Sequence, residues 1–177
     1  PNDIAIANDG TLFITETRTQ RILRIDPETG AIVVADEGIK RPNGIVFSPD
    51  GGTLAVSDSG GADALTFRLG ADGGLDAKMP TMPLRLAIDY KGDFRFNEPP
   101  PYKNISRGDG MAVDRRGRYY VTSEVGVQIF DPTSRPCGVL PKLDASQPLT
   151  SCILAGKDHS FLYVANGNAI YRRKLSL

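Results

Sequence analysis

Asn2, Asn43 and Asp109 bear side-chain oxygens and recur at one slot of a repeated pattern. Eight residues after them come Gly10, Gly51 and Gly117, and each glycine leads into an apolar run: Leu12-Phe13-Ile14, Leu54-Ala55-Val56 and Tyr119-Tyr120-Val121. A fourth copy places Ser151 in the slot, His159 where the glycine stands, and Phe161-Leu162-Tyr163-Val164 behind it. A repeat that keeps its phase stacks its units in the same pose, so slot residues from different units converge on one point. Two amides and one carboxylate are oxygen donors, the ligand type of a hard divalent cation. Oxygen-only ligation favours calcium, magnesium or manganese; zinc is the less natural alternative without His or Cys. For one isolated unit the plainer reading is a turn residue that bonds its own backbone.

A Ser–His–Asp arrangement fails on geometry. The single histidine, His159, lies eight residues along a strand from the slot, about 25 Å at the strand rise. His159 reads as a turn residue, like Asp9-Gly10 and Asp50-Gly51 in the equivalent turns. Glu16, after the second apolar run, faces either the slot end or solvent. Tyr90, Phe94, Phe96 and Tyr102 either wall a substrate pocket or, preferably, cover sheet edges.

The elements that position these residues read as strands almost throughout. Short Ile/Val/Leu/Phe/Tyr runs are punctuated by Asn-Asp-Gly, Pro-Asp-Gly-Gly and Asp-Pro turns. Ile4 to Ala7 and Ile45 to Phe47 suit strands buried on both faces. Arg21 to Ile25, Leu65 to Leu69, Val125 to Phe130 and Ile170 to Leu175 alternate, as third strands with one wet face do. No window keeps a helical period free of Gly or Pro. Units of about 40 residues built from strands fit the four-stranded blades of a β-propeller. The expectation is an all-β chain of about four blades, with residues 1–177 as a single domain. An insertion over residues 70–107 widens the interval between the second and third units. Its prolines, Pro80, Pro83, Pro99, Pro100 and Pro101, argue for surface excursions rather than an extra buried strand.

Composition narrows the partners. Lys and Arg number 21 against 21 Asp and Glu, and the hydrophobic fraction is 40%. A folded domain is expected, and neither nucleic acid nor an anionic membrane is a natural partner. No apolar run reaches the roughly 20 residues of a membrane helix. The chain opens at Pro1 rather than Met, so localisation is not readable. Cys137 and Cys152 make no disulfide framework, and two free, mostly buried thiols are expected.

The stretch Arg41-Pro42-Asn43-Gly44-Ile45-Val46-Phe47-Ser48-Pro49-Asp50-Gly51 resembles the regucalcin/gluconolactonase/lactonase family. So do Gly108-Asp109-Gly110-Met111-Ala112-Val113-Asp114, Leu149-Thr150-Ser151-Cys152, and Pro1-Asn2-Asp3 with Asn8-Asp9-Gly10. The resemblance covers essentially the whole chain. It implies part of a six-bladed propeller that holds a divalent metal, calcium foremost, at its centre and hydrolyses small-molecule lactones. Asn43 matches the metal-binding Asn of the Pro-Asn-Gly motif. Asp109 matches the metal-binding, catalytic Asp of the Asp-Gly-Met motif. Asn2 matches an Asn that contacts substrate in regucalcin-like proteins and metal in paraoxonase-like ones, and Ser151 sits at a further substrate-facing position. Three slots in phase, in contexts that resemble a metal site, favour the metal over the turn reading. The family also draws a metal-binding Glu from its first blade, and the four units here match its later blades. Upstream blades, or self-association over exposed blade faces, are therefore expected, and residues 1–177 alone should turn over weakly. The alternative is a non-catalytic propeller piece that binds or scaffolds, since a fold does not fix a function.

Overall fold

The structure, a computed structural model, describes residues 1–87 and 105–175. Four antiparallel sheets follow one another along the chain. The first is β1 (Ile4–Ile6), β2 (Leu12–Glu16), β3 (Arg21–Ile25) and β4 (Ile32–Glu37). The second is β5 (Pro42–Phe47), β6 (Thr53–Asp58), β7 (Asp63–Leu69) and β8 (Leu75–Pro83). The third is β9 (Met111–Val113), β10 (Tyr119–Ser123), β11 (Gly126–Phe130) and β12 (Pro136–Leu140); the last is β13 (Leu149–Ala155), β14 (Phe161–Asn166) and β15 (Ala169–Lys174). Strand order is sequential within each sheet. Each sheet is a propeller blade, and the expected four-blade arrangement is present. The single helical element among the described residues is a short 3-10 turn at Lys157–His159.

Side-chain alternation explains the stacking. On β6, Leu54 and Val56 pack with Phe13, Ile22 and Phe67 between the first two blades, while Ala55 turns to the core shared with the third. On β10, Tyr119 and Val121 face the second blade, and Tyr120 packs with Cys152, Leu154 and Leu162 toward the fourth. A strand of the two middle blades is thus apolar on both faces, because successive residues point to opposite neighbours. Each such large side chain contributes roughly 1.5–3 kcal/mol on burial.

The repeat phase is written into the turns. Gly10 donates to the Ala7 carbonyl, Gly51 to Ser48, Gly117 to Asp114 and His159 to Gly156, at 3.0, 2.8, 2.9 and 3.1 Å. The four donors share positive φ, at 90°, 74°, 79° and 54°. His159 therefore occupies the glycine's left-handed position and is exposed, in keeping with a turn role.

Two readings need correction. Ile4 and Ile6 are 50% and 63% exposed, so β1 is buried on one face only; Ala5 and Ala7 point into the core, and no described blade covers the other side. Cys137 is exposed, whereas Cys152 is buried, and both are free. Residues 75–83 form the outer strand β8, with Pro80 opposite Leu65 and Pro83 opposite Asp63. An outer strand tolerates both prolines because its far side needs no donor. Tyr90, Phe94, Phe96 and Tyr102 lie outside the described residues, as do Pro99, Pro100 and Pro101.

Buried hydroxyls tie blade to blade. Thr15 Oγ1 donates to the Asn43 carbonyl at 2.6 Å, and Ser57 Oγ to the Asp109 carbonyl at 2.6 Å. Both residues are fully buried. Thr15→Val keeps the shape but leaves the Asn43 carbonyl without its donor. We expect a loss of about 1–2 kcal/mol, the cost of an unsatisfied buried acceptor, read as a lower denaturation midpoint. An unchanged midpoint would show that the latch does not hold the blades.

Candidate active site

Each slot residue stands where an inner strand begins. In the second blade the β5–β6 register shifts between Pro42 and Ile45. That bulge takes Asn43 and Gly44 out of the ladder, and the Gly44 N–H turns to Ser57 Oγ at 2.9 Å. A bulge re-aims a side chain without ending the strand. In the third blade Asp109 donates its N–H to the Thr122 carbonyl at 2.9 Å, and Thr122 Oγ1 donates to the Gly110 carbonyl at 3.0 Å. The fourth blade repeats the register shift between Leu149 and Ser151.

The residue after the slot faces the next blade at close range. A Cβ on Gly44 would lie 2.8 Å from the Met111 nitrogen and 2.9 Å from the Gly110 carbonyl carbon. A Cβ on Gly110 would lie 2.7 Å from the Ser151 Cα. The Asn-Gly and Asp-Gly pairs are therefore packing requirements as well as turn signals. In the first blade this place holds Asp3, whose Oδ2 accepts the Ile45 N–H at 3.1 Å and whose Oδ1 accepts the Ile4 N–H at 2.9 Å.

Asn43 and Asp109 come together in one cavity of about 560 Å³, walled also by Arg41, Arg107, Glu124 and Lys142. Burial pushes the Asp109 carboxyl up to about 6, and the Asp3 charge adds to the rise. The Asn43 side chain and the Gly110 N–H oppose it by hydrogen bonding to the charged form. Burial and the Asp3 charge both disfavour the charged form of Asp109, and a bound cation would offset both. The donors thus fit a hard divalent cation in kind. Among the described residues no group of three or more His, Cys, Asp or Glu stands ready to hold a metal. The fit consequently rests on Asn43 and Asp109 with further oxygen donors beside them.

The other slot residues are not among those that line this cavity. Asn2 is exposed, gives its N–H to the Thr15 carbonyl at 2.7 Å, and is not part of that cavity wall. Ser151 is exposed, with its Oγ against Gly110. Glu16 is bound within its own hairpin, accepting from Thr19 Oγ1 at 2.8 Å and pairing with Arg21 at 3.3 Å; it has no place in the cavity wall. Sequence reasoning missed Asp3 and the cationic rim. The available signal was again phase: Arg41 precedes Asn43 by two residues, and Arg107 precedes Asp109 by two.

Comparisons with known proteins bear on the family and the fold. The family model described as SMP-30/gluconolactonase/LRE-like region matches residues 1–168. Lactonohydrolase oryH of Aspergillus oryzae is 26% identical over 189 residues, covering 96% of this chain and 37% of that protein. Among solved structures, a gluconolactonase from Xanthomonas campestris superposes with a TM-score of 0.75 at 22% identity, covering 99% of this chain and 57% of its own. Regucalcin from Agrobacterium tumefaciens, described as a calcium-binding protein, gives 0.70 at 20% identity, covering 94% and 53%. At such identities the structural likeness shows the fold. The chain spans between about a third and a half of the length of the curated relatives it matches.

Proposed function

Because the chain belongs to the SMP-30/gluconolactonase/LRE-like family, a family of lactone hydrolases, we propose that it hydrolyses small-molecule lactones at the Asn43–Asp109 cavity with the aid of a divalent cation. The observation that carries this reading is the meeting of Asn43 and Asp109 from adjacent blades in one cavity, with the Asp109 carboxyl held up to about 6. Asn43 and Asp109 would hold the cation, calcium by preference. When bound, it supplies Lewis acidity toward the lactone carbonyl and eases deprotonation of water.

The chain's own groups do the rest. With one oxygen left free by the cation, Asp109 would take the proton of the attacking water as general base. The same proton then goes to the ring oxygen as the ester C–O bond breaks, leaving a hydroxy acid. Asn43 orients the carboxylate. The Thr15 and Ser57 hydroxyls fix the backbone carbonyls of Asn43 and Asp109, so both side chains emerge from anchored positions.

Proton and cation compete for Asp109. Its carboxyl is charged above about 6 and neutral below it. Calcium affinity, measured by calorimetry in the intact protein, should weaken as pH falls through that value, with protons released on binding above background. Affinity that is flat across this range would remove Asp109 from the ligand set. By contrast, Ser151→Ala should leave turnover and stability close to unchanged, since an exposed hydroxyl outside the cavity adds no charge there. The direct test is hydrolysis of a gluconolactone by the intact protein. A folded protein without lactone turnover would leave the binding or scaffold role in its place.

A further inference from the structure

The mouth of the cavity carries cations in register with the repeat. Arg41 stands two residues before Asn43, and Arg107 two before Asp109. One arginine from each of two adjacent blades thus lines the cavity, and both are exposed where Asn43 and Asp109 are half-buried. Lys142, on the connection between β12 and β13, adds a third cation, and all three wall the same cavity as Asn43 and Asp109.

This concentration is local, for the chain as a whole has a formal net charge of zero. Glu124 meets the Arg107 Nε at 3.5 Å, while the Arg107 side chain stays 60% exposed. Among the described residues no ion pair engages Arg41 or Lys142, and none joins a rim cation to Asp109. Arg107 also holds a left-handed backbone, φ 52°, which a side-chain-bearing residue adopts at a cost and which concentrates at functional sites. The cavity therefore has two poles: an acidic inner one at Asn43 and Asp109, and a cationic lip outside it. Guanidinium forks match carboxylate and phosphate oxygens.

We propose that the substrate is a lactone bearing an anionic group, carboxylate or phosphate, which Arg41, Arg107 and Lys142 hold while the ring carbonyl lies at Asn43 and Asp109. This rests on the lactonase reading above. The test uses the intact protein and three substrates: a gluconolactone, its phosphate ester, and the monolactone of an aldaric acid. At low ionic strength, kcat/KM for at least one anionic lactone should exceed that for the neutral one by about tenfold or more, the worth of a charge-assisted contact. The advantage should shrink as salt rises, and the better of the two anionic lactones identifies the group. Arg41→Gln with Lys142→Gln should lower the anionic-to-neutral ratio about tenfold, and Lys142→Glu should lower it too, each with an unchanged denaturation midpoint. Calorimetric binding of the ring-opened phosphorylated and dicarboxylic acids separates this inference from the activity. Binding of either acid that is lost in the double variant, with no lactone hydrolysed, would keep the anion site and overturn the lactonase. Hydrolysis of the neutral lactone with a ratio near one, unmoved by the substitutions, would overturn the anion site and keep the lactonase.

Discussion

Asp109→Asn should leave the protein folded and cut lactone turnover by about 10²-fold or more, the contribution of a positioned general base. The substitution keeps the shape and one oxygen donor, but it removes both the charge and the basicity. Calcium affinity should fall with turnover, because Asp109 is the slot carboxylate in the cavity. Stability should move the other way. The folded-state pKa of Asp109 is raised to about 6, so the folded chain binds more protons than the unfolded one between the ordinary carboxylate value and 6. Its contribution therefore becomes less favourable as pH rises through that window. At neutral pH the metal-free Asp109→Asn protein should accordingly unfold at a slightly higher temperature than the parent. A near-normal rate in this variant would make the slot structural and move the function to a scaffold role.

Gly44→Val should be among the most damaging single changes to the framework. Even a Cβ at this position would stand 2.8 Å from the Met111 nitrogen and 2.9 Å from the Gly110 carbonyl carbon. Those are backbone atoms of the next blade and cannot rotate aside, so β5 and β9 must separate. Overpacking of this kind costs about 1–3 kcal/mol, and a branched side chain belongs at the upper end. That is a large part of the roughly 5–15 kcal/mol of a typical domain. Because Gly44 follows Asn43 and presses on the Asp109–Met111 segment, the same displacement pulls the two cavity donors apart. Denaturant unfolding should show the loss directly. A midpoint equal to the parent's would mean that the blades do not approach as closely as this.

Much of this was legible in the residues. Turn glycines at a constant distance from the slot marked out the blades, and His159, read as a turn residue from spacing alone, takes the same positive-φ position as Gly10, Gly51 and Gly117. Phase put Asn2, Asn43, Asp109 and Ser151 in one slot, and of these Asn43 and Asp109 line the cavity. Other features were hidden for physical reasons. The exposure of Ile4 and Ile6 depends on what stacks against β1, which no local pattern encodes. Pro80 and Pro83 argued for surface excursions rather than a buried strand, and they lie instead in the outer strand β8, which leaves one edge free of obligatory donors. Asp3 escaped notice because it occupies a glycine's place: its value lies in reaching across to Ile45, a contact of tertiary origin. Glu16 could not be assigned until its hairpin partners, Thr19 and Arg21, were seen to hold it.

The most direct measurement is hydrolysis of a gluconolactone by the intact protein before chelation, after removal of divalent cations, and after calcium is restored, with Asp109→Asn run in parallel. The expected result is turnover that falls to the uncatalysed background on chelation, returns with calcium, and does not return in Asp109→Asn. Full turnover in the verified absence of divalent cations, or equal recovery in Asp109→Asn, would contradict a cation-assisted lactonase centred on Asn43 and Asp109.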